Sequence, residues 1–94
     1  MSAYVYLMRC ADGSLYCGWT TDVAARAAAH AAGRGGRYTS ARRPVALAAA
    51  WELPSRTAAR RAEAAVKRLP RAAKLRLLAG APLEGAVRFS PPDA

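Results

Sequence analysis

The stretch YVYLMRCADGSLYCG, residues 4–18, decides the fold. Two short apolar runs, each carrying tyrosine, flank Ala11-Asp12-Gly13 and read as a β-hairpin. A type I turn at Ala11-Asp12, followed by Gly13 in a left-handed conformation, makes the common three-residue loop with a bulge. That register sets Cys10 opposite Ser14, Met8 opposite Tyr16, and Tyr6 opposite Gly18. Alternation along the strands then gathers Val5, Leu7, Leu15, Cys17 and Trp19 on one wholly apolar face. Tyr4, Tyr6, Met8, Cys10, Tyr16 and Gly18 share the other, where the two phenols converge. A two-residue turn at Asp12-Gly13 would flip Tyr16 to the apolar side and mix the faces. Segregation of the faces favours the first register.

Beyond the hairpin, Thr20-Thr21-Asp22 supplies helix-capping side chains, and residues 22–32 form an alanine-rich helix ended by Gly33. GRGGRYTSARRP, residues 33–44, reads as a basic, glycine-containing loop. Val45 to Trp51 is a third strand with Glu52 at its end. Ser55 caps a helix running to about residue 69, and Pro70 suits the first turn of another, which Gly80 stops. Residues 81–94, with Pro82, Pro91 and Pro92, read as a loosely held tail. The expected class is α/β (α+β): order ββαβαα, with a small three-stranded sheet flanked by helices. With 94 residues in all, residues 1–80 make one domain, because a second core would have nothing to build it from.

Lys and Arg number 15 against 6 acidic residues, a net charge of +9. So strong a positive potential on so small a surface selects polyanions as partners, and nucleic acid first among them. No segment joins a basic face to a large apolar stripe, which argues against a membrane surface. No apolar run approaches membrane-spanning length, and the N-terminal residues lack the apolar core of a signal peptide. Cys10 and Cys17 do not combine with His30 in a zinc-binding spacing. They read as reduced thiols of a cytoplasmic protein.

Two polar pairs stand out on the helices. Arg26 and His30, four apart, are neighbours on one side of the first helix, surrounded by alanines. Glu63 and Lys67 on the later helix are spaced for a surface ion pair worth about half a kcal/mol. Neither pair alone distinguishes a working site from a solvated face.

Together these residues resemble the GIY-YIG nuclease superfamily, and most closely its small stand-alone bacterial branch. Tyr4-Val5-Tyr6 stands at the first triplet and Tyr16-Cys17-Gly18 at the second. Arg26 follows Gly18 at the family's interval, His30 comes one turn later, and Glu63 lies on a helix after the third strand. The similarity spans residues 3 to about 79 and includes GGRYTSARRPV at 35–45. Tyr4 and Cys17 depart from the usual residues of their triplets, at positions that shape packing more than chemistry.

The resemblance implies a metal-dependent nuclease acting on DNA, selective for structure or strand ends because so small a domain offers little base readout. It implies catalytic roles for Tyr6, Tyr16, Arg26, His30 and Glu63, with Glu63 holding one Mg²⁺ or Mn²⁺. One carboxylate suffices for Mg²⁺, which keeps most of its waters and takes the rest of its shell from substrate phosphate. Arg26 would stabilise charge developing on a nonbridging oxygen. One tyrosine is the general base and the other orients water or phosphate; the sequence leaves open which. An unperturbed phenol, with a pKa of about 10, needs a nearby cation to serve as a base. Arg34, Arg37, Tyr38, Thr39, Arg42 and Arg43 in the loop, with Lys67, are the residues expected to track the nucleic-acid backbone. The alternative is a binding module that has a nuclease-like fold and grips nucleic acid without cutting it.

Overall fold

The structure, a computed structural model, describes residues 2–91. Strands β1 (Ala3–Arg9) and β2 (Leu15–Thr20) form the hairpin, followed by helix α1 (Val23–Ala31) and the short helix α2 (Arg37–Ser40). Strand β3 (Ala46–Leu53), helices α3 (Arg56–Lys67) and α4 (Arg71–Leu78), and strand β4 (Val87–Phe89) complete the chain. The four strands form one antiparallel sheet in the order β2-β1-β3-β4.

The hairpin register is the one face segregation favours. Tyr6 pairs with Gly18 and Met8 with Tyr16, and the Cys10 N–H donates to the Ser14 carbonyl at 2.9 Å. Gly13 has φ +84°, the left-handed turn position that glycine adopts without a Cβ penalty. Asp12 caps the turn by accepting from both the backbone and the hydroxyl of Ser14.

β1 is central and buried on both faces, so each set of alternating residues meets a different layer. Val5, Leu7 and Cys17 pack with Ala59 and Val66 of α3, and with Trp51, Leu53 and Leu77. On the opposite face Tyr6, Met8 and Cys10 pack with Val23, Val45 and Ala50, and Ala27 of α1 adds to them. Alanines on α1 bring its backbone close to the sheet, which leaves His30 as the one long side chain of that helix fully enclosed. The Asp22 side chain caps α1 and Ser55 caps α3, as their residue types dictate.

Two expectations are corrected. The sheet has four strands, not three: Val87–Phe89, assigned from their prolines to a loose tail, pair with Ala50, Trp51 and Glu52. The outer edge of β3 would otherwise leave a row of backbone groups unpaired. Phe89 seats its ring 4.6 Å from that of Tyr4, and Arg88 lies 5.4 Å over the Trp51 ring. The last part of the expected tail, residues 92–94, lies outside the described residues. Within the basic loop, residues 37–40 wind into α2, a single turn whose N-cap, Gly36, makes no side-chain cap.

Candidate active site

The phenols and the first helix meet on the α1 face of the sheet. Arg26 Nε donates to the Tyr6 hydroxyl at 3.4 Å, and that hydroxyl lies 2.9 Å from His30 Nε2. His30 Nδ1 in turn lies 2.7 Å from the Thr39 hydroxyl. An arginine only donates, and the buried Tyr6 proton needs an acceptor, so Tyr6 donates to Nε2. His30 is then the neutral tautomer with its proton on Nδ1, donated to Thr39. The chain runs Arg26 to Tyr6 to His30 to Thr39. Tyr16 joins it by contact, its ring centroid 5.3 Å from that of His30.

Two glycines permit this arrangement by having no side chain. A Cβ on Gly18 would strike the Tyr6 hydroxyl, and one on Gly35 would strike the His30 ring. Gly35→Ala is therefore expected to cost about 1–3 kcal/mol through overpacking. The check is a lower urea midpoint at unchanged m-value. An unchanged midpoint would mean that the loop yields without cost.

Burial separates the two phenols. Tyr6 is only 2% exposed, and desolvation raises its pKa above the ordinary phenol value despite the Arg26 guanidinium, which lowers it in part. Tyr6 is thus held as a neutral hydrogen-bonding relay. Tyr16 is half-buried and reaches the surface beside Tyr38. Desolvation, aided by Arg26, depresses the His30 pKa below the ordinary imidazole value. An unfolded chain then binds more protons than the native one between the depressed pKa and about 6.5, so stability rises with pH in that window. Unfolding free energy should fall as pH drops below about 6.5, and His30→Gln should remove this slope. Denaturant titrations at a series of pH values measure it; a slope unchanged in His30→Gln would assign it to other groups.

The rim of the site comes from the loop. Tyr38 packs its ring 5.6 Å from that of Tyr16, and the Arg42 guanidinium sits 3.8 Å above Tyr38. Asp12 fixes Arg42 there through a 3.1 Å ion pair, and Arg42 also donates to the Tyr38 carbonyl. Arg34, Arg37 and Arg43 are exposed nearby. Thr39, expected to touch a strand, is corrected: it is 1% exposed and supports His30 from inside.

Glu63 stands apart from this cluster. It lies on α3, which packs on the opposite face of the sheet, and no hydrogen bond or ion pair among the described residues joins it to Tyr6, Tyr16, Arg26 or His30. Its carboxylate is close enough to Cys17 to help burial push that thiol up to about 12. Tyr16 and Cys17 are consecutive on β2, an edge strand, so the phenol and the carboxylate flank the same edge from opposite faces. Among the described residues no three His, Cys, Asp or Glu side chains group as metal ligands. The donor chemistry nonetheless fits a hard divalent ion that keeps most of its waters: Glu63 is partly exposed, with Oε2 3.6 Å from Lys67 Nζ and, among the described residues, no partner at its other oxygen. Lys67, expected to track the nucleic-acid backbone, is exposed and pairs with Glu63 in this structure.

Sequence reading placed Tyr6, Tyr16, Arg26 and His30 within reach of one another. It missed the roles of Gly35, of Thr39 behind His30, and of Asp12 as the anchor of Arg42. The glycine pair 35–36 ahead of Tyr38-Thr39 was the available signal for a close approach.

Comparison with known proteins agrees with the fold. A family model described as the GIY-YIG catalytic domain matches residues 2–76. UPF0213 protein BH0048 of Halalkalibacterium halodurans is 46% identical over 92 residues, covering 96% of this chain and 98% of its own length. A UPF0213 protein of Streptococcus sanguinis is 55% identical over 73 residues, 78% of this chain and 84% of that one. The solution NMR structure of UPF0213 protein BH0048 from Bacillus halodurans superposes with a TM-score of 0.55 at 46% identity, covering 90% of this chain and 87% of that one. No helix among the described residues is long and apolar enough to cross a membrane. With that family model matching most of the chain and relatives 46% and 55% identical to it, the chain belongs to the GIY-YIG family.

Proposed function

We propose that this chain is a metal-dependent nuclease that hydrolyses phosphodiester bonds in DNA, selecting structure or strand ends rather than sequence. The observation that carries the proposal is the Arg26–Tyr6–His30–Thr39 chain with Tyr16 packed against it. A structural role alone does not require a guanidinium lying along a buried phenol with its terminal nitrogens left unengaged among the described residues. Those nitrogens are the donors that would hold a nonbridging phosphate oxygen and stabilise the charge developing there.

The environments of the tyrosines divide their labour. Tyr16, at the surface, is the group that, as the phenolate with its own proton already lost to solvent, takes a proton from the attacking water. Tyr6, kept neutral by burial, orients Arg26 and His30. Glu63 holds the divalent ion, Mg²⁺ or Mn²⁺, whose chemistry is to polarise the phosphate and stabilise the leaving oxygen. Arg34, Arg37, Tyr38 and Arg43 line the approach, with Arg42 stacked on Tyr38. The test is Arg26→Ala. Cleavage should fall about 10²–10³-fold, as for loss of one preorganised donor, while affinity measured in chelator also weakens. Full activity in this variant would remove Arg26 from the chemistry.

A further inference from the structure

A shallow cavity of about 290 Å³ opens at the free edge of β2, lined by Trp19, Thr20, Thr21, Arg26 and Arg56. It joins the two faces of the sheet, with Arg26 contributed by α1 and Arg56 by the first residue of α3. Two arginines thus border one concavity whose lining contains no carboxylate. Among the described residues two cations have acidic partners, Arg42 with Asp12 and Lys67 with Glu63, and neither arginine of this cavity does. Arg56 has no hydrogen bond or ion pair among the described residues. Asp22, next to Thr21, commits one carboxylate oxygen to the Ala25 N–H at the start of α1. Thr20 is engaged with the Asp22 backbone, whereas the exposed Thr21 hydroxyl has no such bond. Trp19 forms a half-buried wall, with Arg60 5.9 Å over its ring. Like charges facing an open cavity without a counter-charge repel each other until an anion enters.

We propose that this cavity seats a second phosphodiester group of the substrate strand, next to the one at Arg26, held by Arg56 and the Thr21 hydroxyl against Trp19. The proposal rests on the nuclease reading above and adds a direction: the strand crosses the open edge of β2 from Arg26 toward α3. Arg56 takes no part in bond breaking. It is a positioning residue that binds the strand and fixes its register.

The test is Arg56→Gln in the full chain, with Arg76→Gln on α4 as the charge-matched control. Binding of a labelled DNA duplex in chelator is measured across a salt series. Loss of one phosphate contact should weaken binding about three- to ten-fold at moderate salt and flatten the log–log salt slope by about 0.9, and Arg76→Gln should leave the slope at the wild-type value. With a divalent ion, Arg56→Gln should raise KM and leave kcat within about two-fold. Circular dichroism of the variant should match wild type, because Arg56 is exposed. A wild-type slope in Arg56→Gln would overturn the subsite while leaving the nuclease reading standing. No salt-dependent binding by the wild type would overturn both. Inorganic phosphate at constant ionic strength supplies a further arm, read by tryptophan emission. Saturation that Arg56→Gln abolishes, with DNA binding unaffected, would make the cavity a small-phosphate site and overturn the strand assignment.

Discussion

Glu63→Gln should abolish metal-dependent cleavage, by about 10³-fold or more, which corresponds to losing several kcal/mol of charge stabilisation. The fold should survive, because Glu63 is partly exposed and its ion pair with Lys67 is a surface one at 3.6 Å. Removing a negative charge from a basic protein should leave nucleic-acid binding in chelator unchanged or slightly tighter. That combination of lost cutting with retained binding distinguishes it from Arg26→Ala, which should lose both. Cleavage rates and binding constants at fixed salt, with Mn²⁺ and with chelator, measure the contrast. Cutting by Glu63→Gln at the wild-type rate would refute the metal assignment.

Tyr16→Phe should lower the cleavage rate about 10²–10⁴-fold, the ordinary range for loss of a general base, with little change in stability. Tyr6→Phe should behave differently. It leaves His30 Nε2 buried without its donor and is expected to cost about 1–3 kcal/mol of stability. The two variants together ask whether burial or chemistry governs each phenol. Rate loss larger in Tyr6→Phe than in Tyr16→Phe, with equal stabilities, would reverse the assignment.

How much of this was legible follows from how local each feature is. The hairpin could be read because a one-residue slip would mix the faces, and only one register segregates them. Arg26 and His30 could be placed together because their helical spacing puts them on one side. Their contact with Tyr6 needed the packing of α1 on the sheet, which small alanines allow but do not announce. β4 could not be read: three residues between glycine and proline carry no periodicity, and their pairing is created by the free edge of β3. The support of His30 by Thr39 was hidden for a related reason. It depends on a single helical turn, with no capping side chain, and on the close approach at Gly35. The ion pair between Asp12 and Arg42 joins residues thirty apart in sequence, so the turn explanation of Asp12 was complete without it. Glu63 was legible as a helical neighbour of Lys67, but its position on the opposite face from the tyrosines required the topology.

The most direct measurement is cleavage of end-labelled single-stranded, duplex and branched DNA by the wild-type protein. Each substrate is tested at fixed salt with Mg²⁺, with Mn²⁺ and with chelator. Products should appear only with a divalent ion, and branched or frayed substrates should be cut faster than plain duplex. Binding of every substrate without cutting of any, in either metal, would contradict the account and identify the chain as a nucleic-acid-binding module on a nuclease fold.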